Sequence, residues 1–62
     1  MATNSPFPLR LTTLRKQHGL SQLQLATTAD CSQRHISFLE LGRTRPSRDM
    51  VQRLSLALGL SL

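Results

Sequence analysis

Residues 22–41 read QLQLATTADCSQRHISFLEL, two short apolar patterns separated by Asp30, Cys31 and Ser32. In the first, Leu25, Ala26 and Ala29 fall at i, i+1 and i+4, one face of an α-helix. The stripe stops at Asp30, a residue type that tolerates left-handed backbone better than most. In the second, Ile36 and Leu39 repeat at helical spacing until Gly42, and Ser32 is placed to cap the first turn. The pattern predicts two helices of unequal role joined by a turn of about three residues, the second running over about 32–41. Helices joined so tightly cross steeply with their backbones close together. A small residue is needed where they meet and branched apolar residues beyond it, and Ala26 facing Ile36 meets that need.

Outside this block the signals are of the same kind. Ser21 opens a capping box, S-Q-L-Q, with Gln24 as its reciprocal partner. Upstream, Leu11 and Leu14 lie one turn apart with Arg15 following, and Gly19 is a helix stop, which predicts a first helix from Pro8 to about His18. Pro8 disfavours helical geometry at Phe7, so residues 1–7 are expected to form a flexible arm and 8–62 the folded domain. Downstream, Ser47 caps a fourth helix with Asp49 in its first turn and a core face of Met50 or Val51, Leu54, Ala57 and Leu58. The ending LSLALGLSL leaves Leu58, Leu60 and Leu62 with little to cover them, and so implies that a longer polypeptide continues beyond this point.

Composition narrows the function. A chain of 62 residues has room for one domain, and such a chain buries only about 60% of its unfolded surface, so its stability is marginal. With two phenylalanines and no other aromatic residue, the core must be built from Leu, Ile, Val and Ala, which suits helices. Eight basic against three acidic residues give a net charge of +5 and a pI near 11.6, favouring a polyanionic partner such as nucleic acid. No apolar run approaches the roughly 18 residues of a membrane span, and no secretory leader opens the chain, so a cytoplasmic setting is expected. Cys31 has no partner for a disulfide, and with His18 and His35 it falls short of a zinc site; no cofactor or metal is expected.

Several short strings now point the same way: L-x-x-L-R at Leu11 to Arg15, G-L-S-Q at Gly19 to Gln22, L-A at Leu25 and Ala26, I-S-x-L-E-x-G at Ile36 to Gly42, and P-S at Pro46 and Ser47. Together they resemble the phage-repressor type of helix-turn-helix protein, the Cro and repressor-like family also named for xenobiotic-response-element regulators. The resemblance spans nearly the whole chain. It implies an all-α fold, a compact lambda-repressor-like bundle of four to five short helices with the helix-turn-helix at helices 2 and 3. The departure is Asp30, where the family usually has Gly. The string SFLELGRTRPSRDM, Ser37 to Met50, resembles larger bacterial regulators in which a ligand-sensing domain follows this module.

In this geometry the second helix of the motif enters the major groove, with its N-terminal residues facing base edges. The base contacts implied are Gln33, Arg34, Ser37 and Phe38: Gln pairs bidentately with adenine, Arg with guanine, and Phe meets a thymine methyl. Alternatives stay open at each. Arg34 could hold only a phosphate, Gln33 could be a solvated side chain, and Phe38 could pack on the fourth helix or on another domain. Phosphate contacts are implied for Gln22, Arg43, Arg45 and His35, with Arg10, Lys16 and Arg48 secondary; Gln22 and His35 could equally be ordinary surface residues. Glu40 would repel phosphate if it faced DNA, and the resemblance instead pairs it with Arg15 in a structural ion pair. Cys31 occupies a position for a branched apolar residue and is expected to be an inert buried thiol.

The partner implied is double-stranded DNA, bound for transcriptional regulation, with a homodimer on a two-fold symmetric site and no membrane. The competing class is a protein-interaction module, such as an antitoxin or adaptor domain contacting its partner through Phe38 and the apolar end. An enzyme is not indicated, since neither histidine has a nucleophile or carboxylate at matching spacing.

Overall fold

The computed structural model describes residues 6–59, which form four helices: α1 (Phe7–Gln17), α2 (Gln22–Thr28), α3 (Gln33–Leu41) and α4 (Arg48–Leu58). No strand occurs among the described residues. The starts of α2, α3 and α4 are set by hydroxyls. Ser21 Oγ accepts from the Gln24 amide while Gln24 Oε1 accepts from the Ser21 amide, closing the capping box. Ser32 accepts from the His35 amide and Ser47 from the Met50 amide. Each satisfies an N–H that has no partner inside its own helix.

The ends are set by left-handed residues. At the end of α3, Gly42 has φ +75°; its amide donates to Leu39 O at 3.2 Å and the Arg43 amide donates to Phe38 O at 2.9 Å. That is the paired bond pattern of a Schellman motif. Between α2 and α3 the same pattern is made by Asp30, the described non-glycine residue with positive φ, at +61°. Its amide donates to Thr27 O and the Cys31 amide to Ala26 O. The chain thereby stops α2 and turns within Ala29 to Ser32, and Cys31 is placed against the core.

The turn brings α2 against α3, on which α1 also packs, while α4 packs chiefly on α2. The core at their junction is Leu11, Leu25, Ala26, Ala29, Ile36, Leu39, Met50, Leu54 and Leu58, with no buried polar residue among those described. Phe7, Leu14, Leu20, Cys31 and Ala57 close it from the sides.

One expectation is corrected here, and of the two readings given for Leu58 the core-face one holds. Phe7 is the first residue of α1 and not the end of an arm. The bias that Pro8 imposes is overcome because Phe7 packs against the core, and a proline in the first helical turn sacrifices no hydrogen bond. Residues 1–5 of the expected arm lie outside the described residues. Leu58 is 1% exposed, seated one turn beyond Leu54 on the buried face of α4. Leu60 and Leu62 lie outside the described residues, and the exposed leucine of this segment is Leu56, at 77%.

Candidate nucleic-acid interface

Successive residues of an α-helix turn by about 100°, so Gln33, Arg34, Ser37, Phe38 and Leu41 fall on one face of α3 and Ile36 and Leu39 on the opposite one. Burial follows this division. Ile36 and Leu39 are fully buried; Gln33, Arg34, Phe38 and Leu41 are exposed and Ser37 is half-buried. The four residues expected to read bases therefore share one outward face. Leu41 extends the same face and was not among the expected site residues; at 65% exposure it continues an apolar edge begun by Phe38 at 38%. Its i+3 spacing from Phe38 was the available signal, masked by its place at the end of the apolar stripe.

Arg43 and Arg45 follow in the segment leading to α4, both exposed, and Arg48 is exposed at the start of α4. Of the eight basic side chains, two are in ion pairs among the described residues, Arg15 with Glu40 and Arg53 with Asp49. The others include Arg34, Arg43, Arg45 and Arg48, so the surface around α3 and its exit carries positive charge not offset by a described ion pair. His35 is half-buried on the flank of α3.

Behind this face lies a polar joint. Arg15 on α1 donates from Nε to Glu40 Oε2 at 2.6 Å and from Nη2 to Oε1 at 3.1 Å, and its Nη1 donates to Leu20 O at 2.9 Å. The two side chains are 12% and 7% exposed. Gln22, the first residue of α2, donates from Nε2 to the same Glu40 Oε1 at 3.0 Å. One carboxylate thus joins α1, α2 and α3. Burial alone pushes the Glu40 pKa up, but the hydrogen bonds from Arg15 and Gln22 and the positive charge of Arg15 outweigh it, leaving it below its ordinary value of 4.5. The hydrogen bond from Arg15 to Glu40 in turn pushes the guanidinium further up, with burial opposing. Both groups remain ionised around neutral pH. The tie between Gln22 and Glu40 was not foreseen, because nothing at a separation of 18 residues marks a glutamine as a partner.

Two further groups frame the turn. Arg53 on α4 donates from Nη1 to Asp30 O at 3.1 Å and pairs through Nε with Asp49 at 2.9 Å, clipping the left-handed turn to α4. Cys31 is half-buried, and burial pushes its thiol pKa up, with Arg53 lowering it less. It stays a thiol at neutral pH and is a weak nucleophile. His18 follows α1 as an exposed capping residue. No described helix is long and apolar enough to cross a membrane.

Comparison with protein families places this geometry. The helix-turn-helix family model HTH_3 matches residues 11–62, all but the first ten residues of the chain. The chain belongs to this family of Cro- and repressor-type helix-turn-helix domains, a DNA-binding class, and α2 and α3 are its helix-turn-helix. Comparison with curated proteins gives no match.

Proposed function

We propose that this domain binds double-stranded DNA sequence-specifically as part of a bacterial, cytoplasmic transcriptional regulator, with α3 in the major groove. The observation that carries the reading is the division of α3: one face locked in the core by Ile36 and Leu39, the other presenting Gln33, Arg34, Ser37 and Phe38. In this reading Gln33 and Arg34 read base edges by paired hydrogen bonds, while Ser37 and Phe38 add a hydroxyl and an apolar contact. Arg43, Arg45, Gln22 and His35 hold phosphates and set the register of the helix on the duplex. Two copies on a two-fold symmetric site double the readout, with half-sites about one helical turn apart.

The test is selection from a randomised duplex library at two salt concentrations. An enriched motif that loses one position in Arg34→Ala supports the reading; salt-sensitive binding without enrichment reduces it to non-specific binding. About five phosphate contacts give a log–log salt slope of roughly −4 to −5.

Exposure of Leu41 beside Phe38 favours a second reading, a protein partner covering that apolar edge. It predicts that Arg34→Ala and Arg43→Ala together leave partner binding intact, whereas DNA binding does not survive them.

A further inference from the structure

We propose that Glu40 is a positioning residue for Gln22, fixing which edge of the Gln22 amide is offered to a DNA phosphate. The proposal rests on the DNA-binding reading above and adds to it a mechanism at one contact. A glutamine amide has a donating and an accepting edge, and in a free side chain the two interchange by rotation. A phosphate only accepts, so half of those orientations are useless to it. An ionised carboxylate also only accepts. Held against Glu40 Oε1 at 3.0 Å, Gln22 must keep Nε2 on that side, since the reversed amide would set Oε1 against a negative oxygen.

The carboxylate is itself not free to turn. Arg15 grips both of its oxygens and is anchored by Leu20 O, two residues before Gln22. The chain of bonds therefore runs from the loop before α2 through α1 and α3 and back to the first residue of α2. It fixes the amide in the free protein, before DNA arrives. One Nε2 proton is used by Glu40; the second proton has no partner among the described residues and is left to a phosphate oxygen. The same arrangement solves an electrostatic difficulty. A carboxylate so near a proposed phosphate contact is repulsive when bare, but Glu40 is 7% exposed and in contact with a guanidinium, so its charge is offset within the fold.

The experiment is a double-mutant cycle on the affinity of the folded protein for a random-sequence duplex of about two helical turns at low salt. Gln22→Ala is expected to weaken binding about fivefold, and Glu40→Gln, whose amide permits Gln22 to reverse, by a similar factor. Glu40→Gln in the Gln22→Ala background is expected to add nothing. Equal losses from Glu40→Gln in both backgrounds, or none in either, overturn the positioning role while leaving DNA binding intact. Absence of duplex binding by the unaltered protein removes both readings together. Should Glu40→Gln fail to fold, nitrogen relaxation of the Gln22 side-chain amide in the unaltered protein decides. Backbone-like rigidity is expected, and motion as free as that of exposed Gln52 overturns the proposal.

Discussion

The two faces of α3 are built from neighbouring residues and on opposite principles. On the inner face Ile36 and Leu39 have no contact with solvent, and the flanking Glu40 is fully engaged with Arg15 and Gln22. On the outer face Gln33, Arg34, Phe38 and Leu41 are exposed, with no hydrogen bond from the Gln33 or Arg34 side chains to another described residue. The inner face therefore governs whether the domain folds, and the outer face can change with little effect on folding. In the proposed reading, recognition chemistry is concentrated where the fold makes no demand, which would let one scaffold serve different DNA sequences.

The strongest way to break the comparison is from inside. Leu39→Ala removes a fully buried side chain and is expected to cost about 3 kcal/mol. A domain of this size has only about 3–5 kcal/mol to lose, so the variant is expected to be largely unfolded by circular dichroism at physiological temperature. A cooperative transition near that of the unaltered protein would show that α3 is not the centre of the core.

Glu40→Ala is next. It strands Arg15, 12% exposed at its side chain, and deprives Gln22 of its acceptor, at an expected cost of about 2–3 kcal/mol in chemical denaturation. The same pair has a pH signature. Because the folded-state pKa of Glu40 lies below its ordinary value of 4.5, its contribution is fully present above that value. It is lost as pH falls through the lower folded pKa. Stability is expected to decline below about pH 4.5, and Glu40→Gln to flatten that decline. An unchanged acid limb in the variant would show that Glu40 does not carry the acid sensitivity.

On the outer face the expected result is reversed. Arg34→Ala should leave the unfolding midpoint within about 0.5 kcal/mol of the original. The proposed base contact makes it cost roughly 1–3 kcal/mol of discrimination at one base pair. A large loss of stability would show that the outer face takes part in folding after all.

Most of the inner face was legible from the chain, because it depends on local rules. Ser21, Ser32 and Ser47 each precede an apolar run, Gly42 follows one, and Leu25, Ala26, Ala29, Ile36 and Leu39 repeat at helical intervals. What was missed involves residues distant in sequence. Gln22 meets Glu40 and Arg53 meets Asp30 only because the turn has folded α2 over α3 and α4 under α2. Phe7 was misjudged for a related reason: local rules predict fraying ahead of Pro8, and only the packed core reveals a place to bury it; Leu58, read both as core face and as uncovered, is buried. The outward side chains of α3 could be named from the resemblance, yet their exposure followed from periodicity alone.

The smallest expected effect concerns the turn that makes both faces possible. Asp30 holds φ +61°, a conformation costly for a residue with a Cβ and free for glycine. Its side chain is exposed and makes no ion pair among those described, so its removal forfeits no such pair. Arg53 binds the backbone carbonyl of residue 30, an acceptor that glycine retains. Asp30→Gly is therefore expected to stabilise the domain by about 0.5 kcal/mol, the relief of left-handed strain slightly exceeding the added freedom of the unfolded chain. Asp30→Val, β-branched, is expected to move the other way by more than 1 kcal/mol, roughly, at the same φ. Thermal unfolding of the two variants side by side checks the ordering. If both variants are less stable than the unaltered protein, the turn is held by the aspartate side chain itself; if glycine falls below valine, the left-handed geometry is not where strain resides.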